Sequence, residues 1–236
     1  MTTKVIVSYD GTDNDRDALA LGRLFADAGA SVALAYVRHA QASEQGREEL
    51  EQHESLHRLE RGAAELGRPD TELHVVISAS TSNGLRALAD REQADIVVFG
   101  SEYRTARGHV APGTSAQRML DGGSVAIAVA PVGLRDRVDA RIATVAVSPV
   151  STDDSARETA RSVAGATGAS VVESSTPDLG LLVVGSRPEA AVGRVLVSAS
   201  AERVIENATC PVLVVPRSRM LHFGTPVTID GPVVTA

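Results

Sequence analysis

The segment from residue 100 to residue 115 has a composition suited to phosphate binding. It reads Gly100-Ser-Glu-Tyr-Arg-Thr-Ala-Arg-Gly108-His-Val-Ala-Pro-Gly113-Thr114-Ser115, and it joins the end of an apolar run to the start of a predicted helix. Free N–H groups and the helix dipole attract anions at a helix N-terminus, and glycines allow the backbone to approach a phosphate. Hydroxyl groups at the first helical positions can cap the helix or donate to phosphate oxygens. The Gly-Lys-[Ser/Thr] of the common P-loop is absent, so the segment predicts another kind of phosphate loop, with a ligand-free glycine-rich loop as the alternative.

The elements around this segment alternate between apolar runs and amphipathic stretches. The pattern predicts strands at 4–9, 31–37, 72–78, 95–99 and 124–130, and helices at 15–28, 44–66, 81–93 and 114–121. Continuous apolar strands that alternate with helices are typical of a parallel sheet. The loop at 100–115 therefore starts at the C-terminal end of a strand.

The same pattern occurs twice along the chain. The run Asp95-Ile-Val-Val-Phe-Gly-Ser101 matches Gly180-Leu-Leu-Val-Val-Gly-Ser186, and each is followed by a later glycine, a helix and a second apolar run that ends in proline. Repeats of this kind predict a duplicated unit. We expect one unit at 1–133, a shortened unit at 140–217 and a C-terminal tail at 218–236, which we expect to be disordered, with a packed arm as the alternative.

The second unit lacks part of the first. After its second strand (169–173), only residues 174–178 precede the next strand (179–184). A parallel crossover needs about a dozen residues. These two strands are therefore not neighbours, or the topology is altered, and the second sheet should have about four strands.

These features together resemble the universal stress protein family. Nucleotide-binding members carry Gly-x-x-Gly, nine residues and then Gly-[Ser/Thr], which Gly100 and Gly113-Thr114 match at the right distance. The resemblance implies two tandem flavodoxin- or Rossmann-like open parallel sheets of strand order 3-2-1-4-5, the second truncated. It implies ATP, or a related adenine nucleotide with Mg²⁺, at the switch point between the first and fourth strands. The implied nucleotide-binding residues are Asp10 beside the nucleoside, Val37 with its backbone toward adenine, and Gly100, Ser101, Gly108, Gly113, Thr114 and Ser115 around the phosphates.

Both units depart from the family pattern. Tyr103 replaces the second glycine of the first loop, which would cost on the order of 1–2 kcal/mol if a positive φ were required there. Gly108 could instead supply the flexible point, and Arg104 or Arg107 could face phosphate. In the second unit Pro188 and Ser198-Ala199 replace the loop glycines, and Pro149 or Val150 replaces the strand-end aspartate. We therefore predict no nucleotide in the second unit.

Composition limits the other partners. A formal net charge of −7 argues against nucleic acid and anionic membranes, and a single cysteine, Cys210, fits a reducing cytoplasm. The apolar last strands of the two units predict an intramolecular pseudo-dimer, with a homodimer and unknown protein partners as further possibilities. The motif His53-Glu54-Ser-Leu-His57 matches a zinc-protease pattern, but its densely charged surroundings favour a solvated helix without metal.

These observations predict a cytoplasmic stress-response protein that binds ATP in its first unit. The chain offers no recognisable nucleophile and base, so we expect at most slow ATP hydrolysis. The alternative is a tandem stress protein that binds no nucleotide and acts through protein–protein interactions.

Overall fold

A computed structural model describes residues 2–39, 45–138, 140–151, 153–174 and 180–224, with the backbone alone for 45–47. We call residues 2–133 the first half and residues 140–217 the second half. Within the described residues, no helix is long and apolar enough to cross a membrane.

The first half contains five strands and four helices among its described residues. The strands are β1 (Lys4–Ser8), β2 (Ser31–His39), β3 (Glu72–Ser78), β4 (Ile96–Gly100) and β5 (Ala126–Ala130). The helices are α1 (Asp13–Asp27), α2 (Gln45–Leu66), α3 (Thr81–Glu92) and α4 (Thr114–Leu120). Local sequence explains their ends: the Ser80 hydroxyl caps α3 by accepting from the Asn83 N–H at 3.3 Å. All of the predicted elements are present with only small differences in their ends.

The second half is smaller. It contains β6 (Thr144–Val147), α5 (Asp154–Thr167), β7 (Ser170–Glu173), β8 (Leu181–Gly185), α6 (Ala199–Glu206) and β9 (Val212–Val215). The join between the halves includes a short 3₁₀ helix, Leu134–Asp136. Here too the predicted elements are confirmed.

All of the described strands belong to one open sheet. Its order is β3-β2-β1-β4-β5-β9-β8-β6-β7, which confirms 3-2-1-4-5 in the first half and four strands in the second. β7 and β8 flank β6 on opposite sides, so the short connection between them does not have to make a neighbouring parallel pair. The two parallel halves thus repeat one topology, the second without its third strand.

The halves join through their last strands. β5 and β9 pair antiparallel, with Ala128 opposite Leu213, as predicted for the apolar edges. Beyond these strands, Gly122 donates to the Val195 carbonyl and Val195 donates to the Gly123 carbonyl, each at 2.8 Å. The predicted contact between the two apolar edge strands therefore forms within one chain.

Two apolar layers cover the sheet and run through both halves. The layer under α1, α2 and α5 includes Phe25 and Val163, while the layer under α3, α4 and α6 includes Met119 and Ile205. The core is therefore continuous across the β5–β9 junction.

The chain after β9 packs as an arm over residues 218–224. Leu221 is 2% exposed, and Phe223 packs on Phe25 with ring centroids 5.6 Å apart. The Gly224 N–H donates to the Ala28 carbonyl at 2.9 Å. The expectation of a disordered tail was wrong for these residues, because their apolar side chains fill the layer between α1 and α5. Residues 225–236 lie outside the described residues.

Candidate functional site

The candidate site lies at the C-terminal ends of β1 and β4. These strands are parallel neighbours, with Val7 opposite Val98, so the loops that follow them open at the same point. Asp10 is the second residue after β1, and Gly100 ends β4. The strand order reverses at this point, which is where open α/β sheets bind ligands.

Gly100 is required by packing. A Cβ there would lie 2.1 Å from the Asn14 carbonyl oxygen in the first turn of α1. No side chain could be accommodated without moving that backbone. Gly100 therefore sets the distance between α1 and the loop, and its role toward a phosphate stays a prediction.

The loop after β4 folds back on itself. Ser101 forms a bridge with Pro112, and its hydroxyl donates to the Ala130 carbonyl at 2.6 Å while accepting from the Ala111 N–H at 3.1 Å. The second half repeats this arrangement: the Ser186 hydroxyl donates to the Val215 carbonyl at 2.8 Å. We call Ser101 and Ser186 the loop braces. The bridge returns the chain to the end of β4, where α4 begins.

Gly108 is the left-handed residue of the loop. Its φ is +83° and its N–H donates to the Val132 carbonyl at 2.8 Å, whereas Tyr103 has no positive φ. The strain that Tyr103 could have introduced is absent, and its side chain is 70% exposed. Gly193 occupies the matching position in the second half, with φ +74°. Gly108 thus shapes the loop, as Gly193 shapes its counterpart.

The two loop arginines are engaged away from the helix terminus. The Arg104 guanidinium lies 5.0 Å from the ring centroid of its neighbour Tyr103. Arg107 pairs with Asp136 at 3.0 Å. Neither arrangement shows a guanidinium directed at the N-terminus of α4.

The N-terminus of α4 has no side-chain cap. Gly113 is the N-cap residue, and a Cβ on it would meet nothing within 4 Å. Thr114 is exposed and Ser115 half-buried, and neither hydroxyl has a hydrogen-bond partner among the described residues. The first-turn N–H groups of a helix have no acceptor within the helix. Donors that could hold an anion are therefore gathered at one open position.

The corresponding terminus in the second half is capped. The Ser198 hydroxyl accepts from the Ala201 N–H at 3.2 Å. Strand register places Val150 where the first half has Asp10, and the nearby Ser151 hydroxyl accepts from the Gly185 N–H at 2.8 Å. In the second half, side chains of the protein thus cap the helix terminus. The equivalent terminus of the first half, that of α4, stays open.

Val37 can present its backbone to a ligand. β2 continues to His39, beyond the last residue of β1, and the Ala35 carbonyl accepts from the Tyr9 N–H at 2.9 Å. Backbone groups two residues apart on a strand point to the same side. The N–H and carbonyl of Val37 therefore face the space past the end of β1, beside Asp10.

Asp10 shares its position with a second carboxyl group, that of Asp15. Asp15 accepts from the Asp10 N–H at 2.8 Å and from the Thr12 hydroxyl at 2.9 Å. Desolvation, followed by hydrogen bonding to Asp10, raises the pKa of Asp15 to about 7. The hydrogen bond with Asp15 lowers the pKa of Asp10. Asp10 therefore stays ionised as an acceptor, and of the two carboxyl groups it is Asp15 that takes up a proton as the pH falls below about 7.

Sequence reasoning missed Asp15 and Arg58. The signal for Asp15 is the Thr12-x-x-Asp15 spacing of a helix N-terminus, where the third helical residue reaches back to the cap. Arg58 of α2 lies over the ring of Tyr36 at 4.7 Å, and its side chain would be 3.5 Å from a Cβ on Gly11. No local pattern reveals Arg58, because α2 is distant in sequence and uniformly charged.

The other motifs show no second site here. His53 and His57 place their Nε2 atoms 2.8 Å apart on the exposed face of α2, and Glu60 accepts from His57 Nδ1 at 3.0 Å. Such a chain of hydrogen bonds is satisfied without a metal. His39 and His109 are both exposed. Burial raises the pKa of the Cys210 thiol to about 12, so it is unreactive near neutrality.

This architecture is similar to that of solved protein structures. The solved structure of a universal stress protein from Archaeoglobus fulgidus DSM 4304 is 14% identical and has a TM-score of 0.66, covering 91% of this chain and 98% of that chain. A universal stress protein from Pseudomonas aeruginosa UCBPP-PA14 is 12% identical with a TM-score of 0.56, covering 91% and 93%. A universal stress protein in complex with cAMP is 20% identical with a TM-score of 0.42, covering 56% and 98%. No curated protein matches the chain.

The fold is therefore the flavodoxin-like open α/β sheet found in these structures. The model of the universal stress protein family matches residues 1–131 and 157–216. The chain belongs to the universal stress protein family.

Proposed function

We propose that this protein acts in the stress response and binds ATP, or a related adenine nucleotide, in its first half, and that it works in the cytoplasm. The observation that carries the proposal is the difference between two helix termini. Gly113 leaves the N-terminus of α4 open, whereas Ser198 caps the equivalent terminus of α6. An uncapped terminus at a topological switch point is suited to phosphate.

Each part of a nucleotide has a matching group at this position. The N–H and carbonyl of Val37, which face the space past the end of β1, can pair with adenine, and the ionised Asp10 can accept from ribose hydroxyls. The first-turn N–H groups of α4, with Thr114 and Ser115, can donate to phosphate oxygens. Mg²⁺ would be held mainly by the phosphates themselves.

Gly100, Ser101 and Gly108 have a supporting role in this proposal. Gly100 admits the first turn of α1, Ser101 ties the loop to β5, and Gly108 supplies its left-handed turn. No described residue forms a nucleophile–base pair at the site, so we expect slow hydrolysis at most. Binding and release of the nucleotide would then be the regulatory event.

Substitution of Gly113 tests the site. In Gly113→Val the branched side chain enters the space above the helix terminus, so we expect calorimetric titration with Mg-ATP to show no binding. Ser198→Val is the matched control: it removes the cap of α6, lowers stability by about 1 kcal/mol and leaves ATP affinity unchanged. Equal losses of affinity in both variants would contradict the assignment to the first half.

The alternative function is an interaction protein without a nucleotide, and the exposed ring of Tyr103 at the loop tip favours it. Denaturing the purified protein and identifying any released small molecule separates the two functions. If no nucleotide is released and millimolar ATP, ADP, AMP or cAMP gives no heat, the nucleotide proposal is wrong.

A further inference from the structure

A second group of ionisable side chains lies at the N-terminal ends of β1 and β3, opposite the strand ends that form the candidate nucleotide site. Glu72 begins β3, His74 follows on the same strand, Glu92 ends α3, and Lys4 begins β1. One ligand atom from each of Glu72, His74 and Glu92 lies within 4.8 Å of the others. We call these three residues the β3–α3 cluster. It is separated from the candidate nucleotide site by the length of the parallel strands.

The cluster lies beside Lys4 because β1 and β3 present these side chains on the same face of the sheet. Alternation along β3 puts Glu72 and His74 on the face covered by α3, and alternation along β1 puts Lys4 on that face. The strand between them contributes Ala33, which is opposite Glu72 and opposite Ile6. Because Ala33 carries only a methyl group, long side chains from β1 and β3 can meet above it.

His74 is not satisfied by the protein. Its side chain is 10% exposed, and its Nε2 atom is buried without a hydrogen-bond partner among the described residues. The nearest carboxylate oxygen, Glu72 Oε1, is 3.4 Å away. A buried polar atom of this kind requires an explanation, since nearly all such atoms are paired. The imidazole nitrogen lies close to the carboxylates of Glu72 and Glu92 but forms no hydrogen bond with a described residue.

The two carboxylates of the cluster share one partly buried cation. Lys4 Nζ lies 2.9 Å from Glu92 Oε2 and 3.4 Å from Glu72 Oε2, so one ammonium group faces two carboxylates. Arg91 contacts the other Glu92 oxygen at 3.1 Å, but its guanidinium is largely exposed to water. A divalent cation would neutralise both carboxylates and accept the lone pair of His74 at the same time.

We propose that Glu72, His74 and Glu92 bind one divalent first-row transition-metal cation. One imidazole and two carboxylates form a donor set that suits Zn²⁺ and Mn²⁺. Lys4 occupies the cationic position when the metal is absent, and its side chain moves into solvent when the metal binds. The bound metal would link β3 to α3.

Calorimetric titration with Zn²⁺ tests the proposal. His53 and His57 form an exposed histidine pair that would compete for added Zn²⁺, so the titration is made in a His53→Ala/His57→Ala background. We expect one Zn²⁺ per chain in this background and none after the further substitution His74→Ala. Lys4→Met should tighten binding by at least about tenfold, because it removes a competing positive charge. Electron paramagnetic resonance of bound Mn²⁺ provides a second readout.

Glu92→Gln serves as the second variant if His74→Ala fails to fold, because Glu92 lies at a helix end. It should weaken Zn²⁺ binding at least about tenfold while circular dichroism stays unchanged. The proposal is overturned if the His53→Ala/His57→Ala protein binds no Zn²⁺, or if it binds Zn²⁺ equally well without His74.

Discussion

Asp10 and Asp15 make the N-terminus of α1 sensitive to pH. Asp15 is partly buried and accepts from two backbone N–H groups, yet desolvation and its neighbour Asp10 raise its pKa to about 7. The folded protein therefore holds the Asp15 proton more tightly than the unfolded chain does. The contribution of Asp15 to stability is complete below about pH 4 and decreases as the pH rises to about 7.

Asp15→Asn should remove this dependence. We expect the free energy of unfolding of the variant, relative to the wild type, to increase by about 1–3 kcal/mol between pH 4 and pH 8, since the amide cannot ionise. Urea unfolding at a series of pH values measures it. Asp27→Asn, an exposed change on the same helix, should shift stability equally at every pH. A flat difference for Asp15→Asn would show that this carboxyl ionises normally.

The loop braces belong to the scale of the element. Ser101 and Ser186 make the same two kinds of hydrogen bond, each to the last strand of its half and to the returning loop. The second half has this brace although its helix terminus is capped. The brace is therefore explained by folding of the loop. The open terminus of α4 occurs in the first half alone.

Ser101→Ala and Ser186→Ala should therefore behave alike. Each leaves a carbonyl and an N–H without the hydroxyl partner, and we expect each to lower the free energy of unfolding by about 1–2 kcal/mol. ATP affinity should change by less than about threefold in either variant. Thr114→Ala should behave in the opposite way. The Thr114 hydroxyl has no hydrogen-bond partner among the described residues, so we expect the free energy of unfolding to stay unchanged and ATP affinity to fall. Loss of ATP binding in Ser101→Ala with unchanged stability would make Ser101 a ligand.

At the scale of the whole molecule, the halves are held together by more than the β5–β9 pair. Asp17 is buried in α1 and accepts from the Gly133 and Arg135 N–H groups, each at 2.9 Å, which ties the join to the first half. The arm brings Leu221 and Phe223 against both α1 and α5. A continuous core of this kind should unfold as one unit.

Leu221→Ala tests the arm. Removing this buried side chain should cost about 2–4 kcal/mol and leave a single calorimetric transition, because the two halves share each apolar layer. Val192→Ala, at an exposed position in the second half, should change stability by less than about 0.5 kcal/mol. Two separate transitions in the wild-type protein would show that the halves fold independently.

Local pattern was sufficient to predict the elements and their order. Apolar runs such as 96–100 and 181–185 are buried on both faces, so their sequence identifies parallel strands without knowledge of their partners. The missing crossover between β7 and β8 predicted either that they would not be neighbours or that the topology would be altered, and the structure shows that they are not neighbours. The sequence also predicted which loop is the candidate site, because glycine, hydroxyl and strand end fall within one short segment; phosphate binding by that loop stays a prediction.

Contacts between distant segments could not be predicted in this way. Nothing near Gly100 in sequence shows that Asn14 lies against it, and nothing near His74 shows that Glu92 is within reach. Asp17 interrupts the apolar face of α1, and this signals that its carboxylate has a buried partner. The partners are the N–H groups of Gly133 and Arg135, which are distant in sequence. Such contacts depend on side-chain packing over long sequence separations.

By itself, the sequence determined that this protein is an open α/β sheet in two unequal halves, with one loop suited to phosphate. Those properties follow from periodicity and from glycine and hydroxyl spacing, which act over a few residues. The tertiary structure alone decided that residues 218–224 pack as an arm, that Ser101 and Ser186 brace the two loops, and that the N-terminus of α4 stays open. These outcomes depend on which surfaces meet, and burial of apolar area selects among arrangements that local sequence leaves equivalent.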